Sequence, residues 1–356
     1  MEYIALKDVC KINMGQSPDS SSYNDNEEGM PFFQGNADFG EMYPVTRVWC
    51  NMPIKIAQPG DILISVRAPI GALNFAKEEC CIGRGLAALT PDKSKVSSEF
   101  IFWLLKGKNY ELNRKGTGST FKAISRKILE EIMVPNIEFD KQHEYAEILK
   151  KIYRIMQMRK QELQKIDDLI QARFIEMFGD PVHNDKGWNT ASVESVCKEI
   201  FGGGTPSKAH PEYYENGDIP WVSSKDMKTD VLFDSQIRIN QMGLDNSTAR
   251  IVPVNSVIMV IRSGILKHTL PVAINAVPLT INQDLKAFVP GDRIITRFMA
   301  MQFKIHEKDI LSGVRAVTAD NIEFNSLKQR LLIIPPLDLQ NEFVEFAKQI
   351  NKLKVT

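Results

Sequence analysis

The sequence predicts an α+β protein made of two similar mixed α/β domains, joined and spaced by long antiparallel coiled-coil helices and related by a pseudo-two-fold internal repeat. Three observations predict this fold. Short motifs occur twice in the same order, a long stretch between the two sets contains no proline or glycine, and the composition is that of a globular protein. The 356 residues are enough for two domains that each bury a core.

Six pairs of motifs establish the repeat. They are residues 9–11 with 196–198, 15–18 with 203–206, 29–32 with 217–221, 60–67 with 255–262, 82–91 with 281–290, and 134–142 with 334–340. The second member of each pair follows the first by about 190 to 200 residues, so only short insertions separate the copies. No pair is distinctive alone, but six pairs in one order indicate a duplication.

Each copy combines strands, helices and loops. The β-branched runs 62–66 and 257–261 follow turn residues and predict buried strands. The segment 98–105 has the apolar spacing of a short amphipathic helix. The glycine-rich segments 116–120 and 201–206 predict loops.

The segment between the copies predicts one long helix. It runs from Asp140, a candidate N-cap, to Phe178, and Gly179 with Pro181 provides the stop. Its apolar residues recur every three or four positions, as in a coiled coil, and about 38 residues of helix span roughly 57 Å. A second, shorter helix begins at Asp338. The predicted domains are residues 1–139, a spacer helix 140–180, a second domain 181–336 and a short helix 337–356.

Charge and cysteine content count against several classes of protein. The chain has 44 basic and 44 acidic side chains, so it does not coat DNA through bulk charge. Five cysteines without a Cys-x-x-Cys spacing indicate neither a zinc site nor a redox pair, and they predict reduced thiols. The charged N-terminus lacks the apolar core of a signal peptide, and no apolar run is long enough to cross a membrane. We therefore expect a cytoplasmic protein without a membrane segment.

The order of the motifs resembles the specificity subunit of type I restriction–modification systems. The motifs that carry the resemblance are Gly-Gly-Thr-Pro at 203–206, Gly-Asp-Ile-Pro-Trp at 217–221, Ser-Ser-Lys-Asp at 223–226, Ile-Gly-Arg-Gly-Leu at 82–86, Asn-Gln-Asp-Leu at 282–285, Pro-Pro at 335–336 with Gln340, and Phe-Gly-Asp-Pro at 178–181. Together they cover essentially the whole chain.

The resemblance implies a non-catalytic subunit. Each of two target-recognition domains would read one half of a bipartite, asymmetric target in double-stranded DNA. The helices would dock methyltransferase (modification) subunits, and restriction (helicase-nuclease) subunits would join the complex. S-adenosylmethionine, Mg²⁺ and ATP would belong to those partners, so the chain itself needs no cofactor.

Polar and basic side chains on loops are the candidates for DNA contact, because they offer the donors and acceptors that base edges and phosphates match. Arg67 and Arg262 follow equivalent strands, and Arg84 aligns with Gln283. The predicted DNA-contact residues are Gln34, Asn36, Arg67, Arg84, Lys115, Ser119, Thr120, Lys122, Ser223, Lys225, Arg262, Gln283 and Arg315.

Each of these candidates also has a structural interpretation. A strand-end arginine is often an ion-pair partner, and a polar residue in an apolar run often holds a turn by hydrogen bonds. Lys115 and Lys122 belong to residues 106–127, where seven basic residues accompany one acid, Glu111, and such a cluster is equally a solvated helix face.

Two other functions stay open on the sequence alone. Asp218, Asp226 and Lys228 form a pattern like that of Mg²⁺-dependent nucleases, although Gly40 stands where the first copy would need the lysine. A free-standing DNA-binding regulator with a duplicated reader would show the same repeat. A methyltransferase is not indicated, because residues 333–336 have the two prolines of its catalytic motif but not the preceding amide or acid.

The second helix departs from the family pattern because it is short. In an antiparallel arrangement, residues 338–356 would cover only about residues 160–178 of the first helix. Ile148, Ile152 and Met156 would then lack a partner within the chain, and leaving them in water forgoes roughly 1.5–3 kcal/mol each. We expect a methyltransferase subunit, or a second copy in a homodimer through the spacer helices, to bury them.

Overall fold

The computed structural model describes residues 2–117, 122–313, 315–316 and 320–354, with the backbone alone for residues 315 and 316. The chain forms two compact units, Met1–Arg159 and Lys160–Thr356, which we call the first and the second unit.

The first unit consists of mixed sheets, short helices and the first half of a long helix. Its strands are β1 Tyr3–Ala5, β2 Cys10–Met14, β3 Tyr23–Asn24, β4 Met30–Phe33, β5 Trp49–Cys50, β6 Ile56–Ala57, β7 Ile62–Ser65, β8 Leu73–Phe75, β9 Cys80–Ile82, β10 Leu86–Pro91 and β11 Met133–Pro135. Its helices are α1 Ser98–Gly107, α2 Asn109–Lys115, α3 Arg126–Glu130 and residues 139–159 of α4 Phe139–Phe178.

The core of the first unit lies on both faces of its main sheet, whose strand order is β2-β10-β7-β8. Ile62 and Ile64 of β7 pack with Phe102 of α1. The residue between them, Leu63, packs on the other face with Phe33 of β4 and Ile82 of β9. Because successive side chains of a strand point to opposite faces, a strand covered on both faces is apolar throughout. The predicted buried strand is therefore present, and it ends at Ser65.

The second unit has the same kinds of element, with residues 160–178 of α4 at its start. Its strands are β12 Thr190–Ser192, β13 Cys197–Gly202, β14 Ile219–Val222, β15 Val231–Leu232, β16 Arg238–Ile239, β17 Val257–Val260, β18 Val272–Asn275, β19 Thr280–Ile281, β20 Leu285–Pro290, β21 Arg315–Ala316, β22 Asp320–Asn321 and β23 Leu331–Ile333. Its other helices are α5 Val193–Val196, α6 Gln241–Asp245, α7 Thr296–Ile305, α8 Glu307–Ser312, α9 Phe324–Gln329 and α10 Leu337–Lys352.

The two units share one topology. The sheet order β2-β10-β7-β8 of the first unit recurs as β13-β20-β17-β18, with β15 added at the edge. The parallel pair β4–β9 recurs as β14–β19, and helices α1 to α3 recur as α7 to α9. The mixed α+β class and the internal duplication predicted from the sequence are therefore confirmed.

In each unit the first and last strands pair with one another. β1 pairs with β11 so that Ile4 faces Val134, and β12 pairs with β23 so that Ala191 faces Leu332. The fold therefore places Val134 with Leu332, two residues before the Ile334 that the motif comparison matched to it. Val134-Pro135 and Ile334-Pro335 are similar in sequence but not equivalent in structure, because equivalence depends on strand pairing and not on the proline.

In each unit a buried glutamine connects the last helix to the rest of the unit by hydrogen bonds. The Oε1 atom of Gln142 accepts a hydrogen bond from the Ser97 N–H, and its Nε2 donates to the carbonyls of Lys95 and Ile137. Gln340 makes the same three bonds, to the Ile295 N–H and to the carbonyls of Arg293 and Pro335. Both glutamines are at most 2% exposed.

Helix α4 begins at Phe139, so Asp140 lies inside its first turn and is not the N-cap that the sequence predicted. An acidic residue is favourable there because the first turn carries the positive end of the helix dipole. The predicted stop is present: Gly179 has φ of +75°, a left-handed conformation that glycine adopts without strain. Lys186 Nζ and Trp188 Nε1 donate to carbonyls of the last turn.

In the second unit α10 packs antiparallel to the second half of α4. Lys354 pairs with Asp167, and Glu342 pairs with Arg173, so the chain directions are opposed. Four buried rings pack together where the two helices meet, with centroids between 4.9 and 6.2 Å apart. They belong to Phe174, Phe178, Phe298 and Phe343. A helix long and apolar enough to span a membrane does not occur among the described residues.

Candidate nucleic-acid interface

In the first unit, the loop after β4 rests on the turn between β9 and β10. The Gly83 N–H donates to the Phe33 carbonyl, and a Cβ at Gly85 would lie 2.1 Å from the Gln34 carbonyl oxygen. The turn therefore needs glycines, because the loop backbone approaches too closely for a side chain. Arg84, between the glycines, is exposed, and its N–H donates to Ser17 Oγ.

The strand end after β7 joins the same surface. The Val66 N–H donates to the Gly85 carbonyl, Arg67 forms a β-bridge with Ala123, and the Ala68 N–H donates to the Lys122 carbonyl. These backbone bonds connect the segments that carry the Arg67, Arg84 and Lys122 side chains, all three of which are exposed. Within the described part of the chain, none of the three makes an ion pair or a side-chain hydrogen bond.

The loop that carries Gln34 and Asn36 is shaped by Asp38. One carboxylate oxygen of Asp38 accepts hydrogen bonds from the N–H groups of Gln34 and Gly35. Gln34 is left exposed and Asn36 half-buried, beside Ala68. The predicted contact residues Gln34, Asn36, Arg67, Arg84 and Lys122 thus all belong to this group of connected loops.

The second unit repeats this arrangement. The Asn282 N–H donates to the Val222 carbonyl, and the Ile261 N–H donates to the Asp284 carbonyl, so segments 222–226, 261–263 and 282–284 meet as their counterparts do. Asp226 shapes the Ser223–Lys225 loop by accepting from the Ser223 N–H and Oγ. Lys225 is exposed beside this loop.

Besides Ser223, two further predicted contact residues of the second unit have side-chain partners. Arg262 places Nε and Nη2 on the same Asp284 oxygen at 2.7 and 2.6 Å, and the other Asp284 oxygen accepts from Asn282 Nδ2. Gln283 Oε1 accepts a hydrogen bond from Thr205 Oγ1. The sequence reasoning missed Asp284, Asn282 and Thr205 as members of the surface, although the motif at 282–285 contains two of them.

The basic cluster at residues 106–127 is not one open patch. Lys106 lies over the Tyr153 ring, Arg114 over Tyr110, and Lys108 and Lys115 both pair with Glu111. Hydrogen bonds from Lys115 and Lys108 hold the pKa of Glu111 below its ordinary value. Arg126 and Lys127 pair with Glu130 and Glu131, just beyond the cluster. Lys115 is therefore an ion-pair partner here, and Lys122 is the member beside the connected loops that carry Arg67 and Arg84.

Three predicted contact residues cannot be placed by side chain. Ser119 and Thr120 lie outside the described residues. Arg315 is described by its backbone, which pairs with Asn321, and Asn321 also forms a bridge with Arg262.

Two residues of the nuclease alternative, Asp226 and Lys228, take part in local hydrogen bonds. One oxygen of Asp226 holds the Ser223 donors, and the other accepts from the Gln236 N–H. Lys228 donates its backbone N–H to the Asp226 carbonyl. Among the residues that the structure describes, no three His, Cys, Asp or Glu side chains are grouped to hold a metal ion. The hydrogen bonds of Asp226 therefore stabilise the loop conformation.

The first half of α4 presents an apolar stripe to solvent. Ile148 is 45% exposed, Ile152 48% and Met156 63%. Other large apolar residues of the same half are also exposed, namely Tyr145, Leu149, Ile155 and Met158. In the second unit, by contrast, Ile170 and Phe174 are buried beneath α10.

Comparison with known proteins gives consistent matches. The family described as "Type I restriction modification DNA specificity domain" matches residues 1–168 and again residues 185–356. A putative type I restriction enzyme specificity subunit of Methanocaldococcus jannaschii is 44% identical over 157 residues, which are 44% of this chain and 37% of that protein. A type I restriction enzyme specificity subunit of Escherichia coli is 34% identical over 155 residues, 43% of this chain and 38% of that protein. Each match thus spans well under half of the relative's length.

A solved structure shares the fold over nearly the whole chain. The crystal structure of a type I restriction-modification S subunit from M. genitalium matches 99% of this chain and 90% of its own, with a TM-score of 0.53 and 13% identity. At that identity the likeness concerns the fold alone.

Proposed function

Because this chain belongs to the family of type I restriction–modification DNA specificity domains, we propose that each of its two units reads one half of a split DNA target. The observation that supports this most directly is the repeated surface. In both units the same connected loops present arginine, glutamine, lysine and small polar side chains, the types that pair with base edges and phosphates. The two sets of side chains differ, so the two half-sites differ.

We propose further that the chain performs no chemistry itself and acts in the cytoplasm through partners. A specificity subunit directs a modification enzyme to its site, and the methyltransferase and restriction subunits supply methylation and cleavage. The exposed stripe of α4, with Ile148, Ile152 and Met156, is the surface that we assign to a methyltransferase subunit. Contiguous exposed apolar surface of this kind usually marks an interface.

Reconstitution tests the proposal. The full chain is mixed with the modification subunit of its own system, and methylated positions are mapped on genomic DNA. We expect adenine methylation at a bipartite sequence that requires the chain. Methylation by the modification subunit alone at the same sequence, or none with both proteins present, would contradict the proposed function.

A second preparation removes one reading surface. Asn36→Ala and Arg84→Ala together leave the second unit intact, so one half of the target should be relaxed while the other half stays fixed. Loss of sequence preference in both halves at once would show that the units do not read separately.

A further inference from the structure

The two reading surfaces are equivalent in backbone but differ in the charges at several matched positions. Two matched pairs of hydrogen bonds establish the equivalence. The Val66 N–H donates to the Gly85 carbonyl, and the Ile261 N–H donates to the Asp284 carbonyl. The Ala68 N–H donates to the Lys122 carbonyl, and the Ser263 N–H donates to the Asp320 carbonyl.

These matched positions differ consistently between the units. Arg67 corresponds to Arg262, Arg84 to Gln283, Gly85 to Asp284 and Lys122 to Asp320. At these positions the first unit has three cations and no acid. The second has one cation and two acids, of which Asp320 is buried and lies 3.8 Å from Lys267 Nζ. Lys225 and Arg315 add two cations to the second unit, where the first unit has Asn36 and Thr117, so the contrast rests on the paired arginines and not on total charge.

The paired arginines show the difference most clearly. Arg67 is exposed without a side-chain partner among the described residues, while Arg262 lies in an ion pair with Asp284 that is fixed from the other side by Asn282. A neutral ion pair displaces few counterions from a phosphate, and its carboxylate repels the phosphate oxygens. The remaining N–H groups of Arg262 stay free to donate to a base edge.

The first unit cannot hold the same ion pair. A side chain at position 85 would collide with the Gln34 carbonyl, only 2.1 Å from its Cβ. Packing of the reading loop on this turn thus keeps Gly85 without a carboxylate and leaves Arg67 unneutralised.

We propose that the two units divide the task of binding DNA, on the premise that both contact it as proposed above. Through Arg67 and Lys122 the first unit binds backbone phosphates and supplies salt-dependent affinity. At the matched positions the second unit contributes little to that affinity, and its Arg262–Asp284–Asn282 network reads base edges.

Salt titration of matched variants tests this division. Binding of the full chain to fluorescent duplex DNA of random sequence is followed by anisotropy over a range of KCl concentrations. Arg67→Gln should make the plot of log K against log salt shallower by about 0.9, one phosphate contact, whereas Arg262→Gln should leave the slope unchanged. Asp284→Asn, which frees Arg262, should steepen the slope. Lys122→Gln repeats the first-unit test if Arg67→Gln does not fold, as judged by circular dichroism.

The outcomes separate this inference from the function on which it rests. Equal changes of slope for Arg67→Gln and Arg262→Gln, or no change for Asp284→Asn, would overturn the division between the units. Absence of salt-dependent binding by the unaltered chain would overturn the DNA-reading function itself. A steeper dependence on Arg262 than on Arg67 would reverse the assignment.

Discussion

At the scale of single residues, Gln142 and Gln340 hold equivalent positions and each satisfies one N–H and two carbonyls. Replacing Gln142 by Ala leaves the buried Ser97 N–H without a partner, which costs about 1–3 kcal/mol of unfolding free energy. Gln340→Ala should cost a similar amount through Ile295. Urea unfolding monitored by circular dichroism measures both losses, and Gln164→Ala, at an exposed helix position, is the control. A loss no larger than that control would show that these bonds do not stabilise the units.

His306 makes the second unit sensitive to acid. It is 2% exposed, and burial, followed by the charge of Arg330, lowers its pKa from 6.5 to about 4. Nδ1 accepts a hydrogen bond from Arg330, which favours the neutral ring. Because the unfolded chain binds the proton more readily, the stability from this group is complete above pH 6.5 and is lost as the pH falls toward 4.

The pH effect is measured by difference. Between pH 7 and pH 5 the wild-type chain should lose about 2 kcal/mol more unfolding free energy than His306→Gln, which keeps an acceptor for Arg330 but does not titrate. Urea unfolding at the two pH values gives the comparison. If the two proteins lose the same unfolding free energy between these pH values, the titration of His306 does not affect the stability of the fold.

The identity of individual contact residues was the part that sequence could predict least. For Arg262 the sequence allowed both an ion pair and a DNA contact, and the ion pair with Asp284 is present. Asp284 lies on another strand connection, and only folding brings it to Arg262. The same holds for Lys115, whose partner Glu111 is near in sequence but was treated as one acid among seven cations.

At the scale of elements, the C-terminal end of α4 was predictable because it depends on local chemistry. Gly179 has to adopt a positive φ, and the residues before it repeat at helical spacing. The sequence also predicted that an antiparallel last helix would cover about residues 160–178, and Lys354 and Glu342 pair with Asp167 and Arg173 of that stretch. Which protein covers the remaining stripe does not follow from periodicity, because periodicity identifies a face and not its occupant.

The stripe on α4 gives a testable interface. Ile152→Glu places a charge at its centre and should abolish co-purification of the full chain with the modification subunit, because burying an unpaired carboxylate is costly. Gln161→Glu introduces the same group at an exposed polar position of α4 and should leave co-purification unchanged. Light scattering of the chain alone is run beside it. A homodimer that Ile152→Glu dissociates would assign the stripe to a second copy instead of a methyltransferase.

At the scale of the whole molecule, each unit should control its own half of the target. Arg84→Ala should relax the sequence preference in one half-site, and Gln283→Ala in the other, by about 1–3 kcal/mol at one base pair. Methylation mapping with the reconstituted complex measures both preferences on the same DNA. If both variants relax the same half-site, or neither changes the preference, these aligned residues do not read bases.

The duplication was visible in the sequence because several motifs occupy places where the backbone tolerates few residues. Gly15 and Gly203 are such places, since a Cβ at Gly15 would meet the Gly83 carbonyl oxygen and a Cβ at Gly203 would meet that of Ile281. In the last motif pair Gln142 and Gln340 are equivalent, but Val134 was matched two residues out of register, because the sequence does not show which strand each residue pairs with. The order of the motifs along the chain was therefore enough to predict the fold, whereas the strand-pairing partners are known only from the structure.

The meeting of the first and last strands in each unit also bears on how such chains diversify. β1 lies against β11 and β12 against β23, so the chain enters and leaves each reading unit at adjacent points. A gene segment that encodes the whole interior of a unit can then be exchanged for another by recombination while both joints keep their backbone pairing. We expect such an exchange to give a folded chain with a different DNA target, because neither strand pairing has to change.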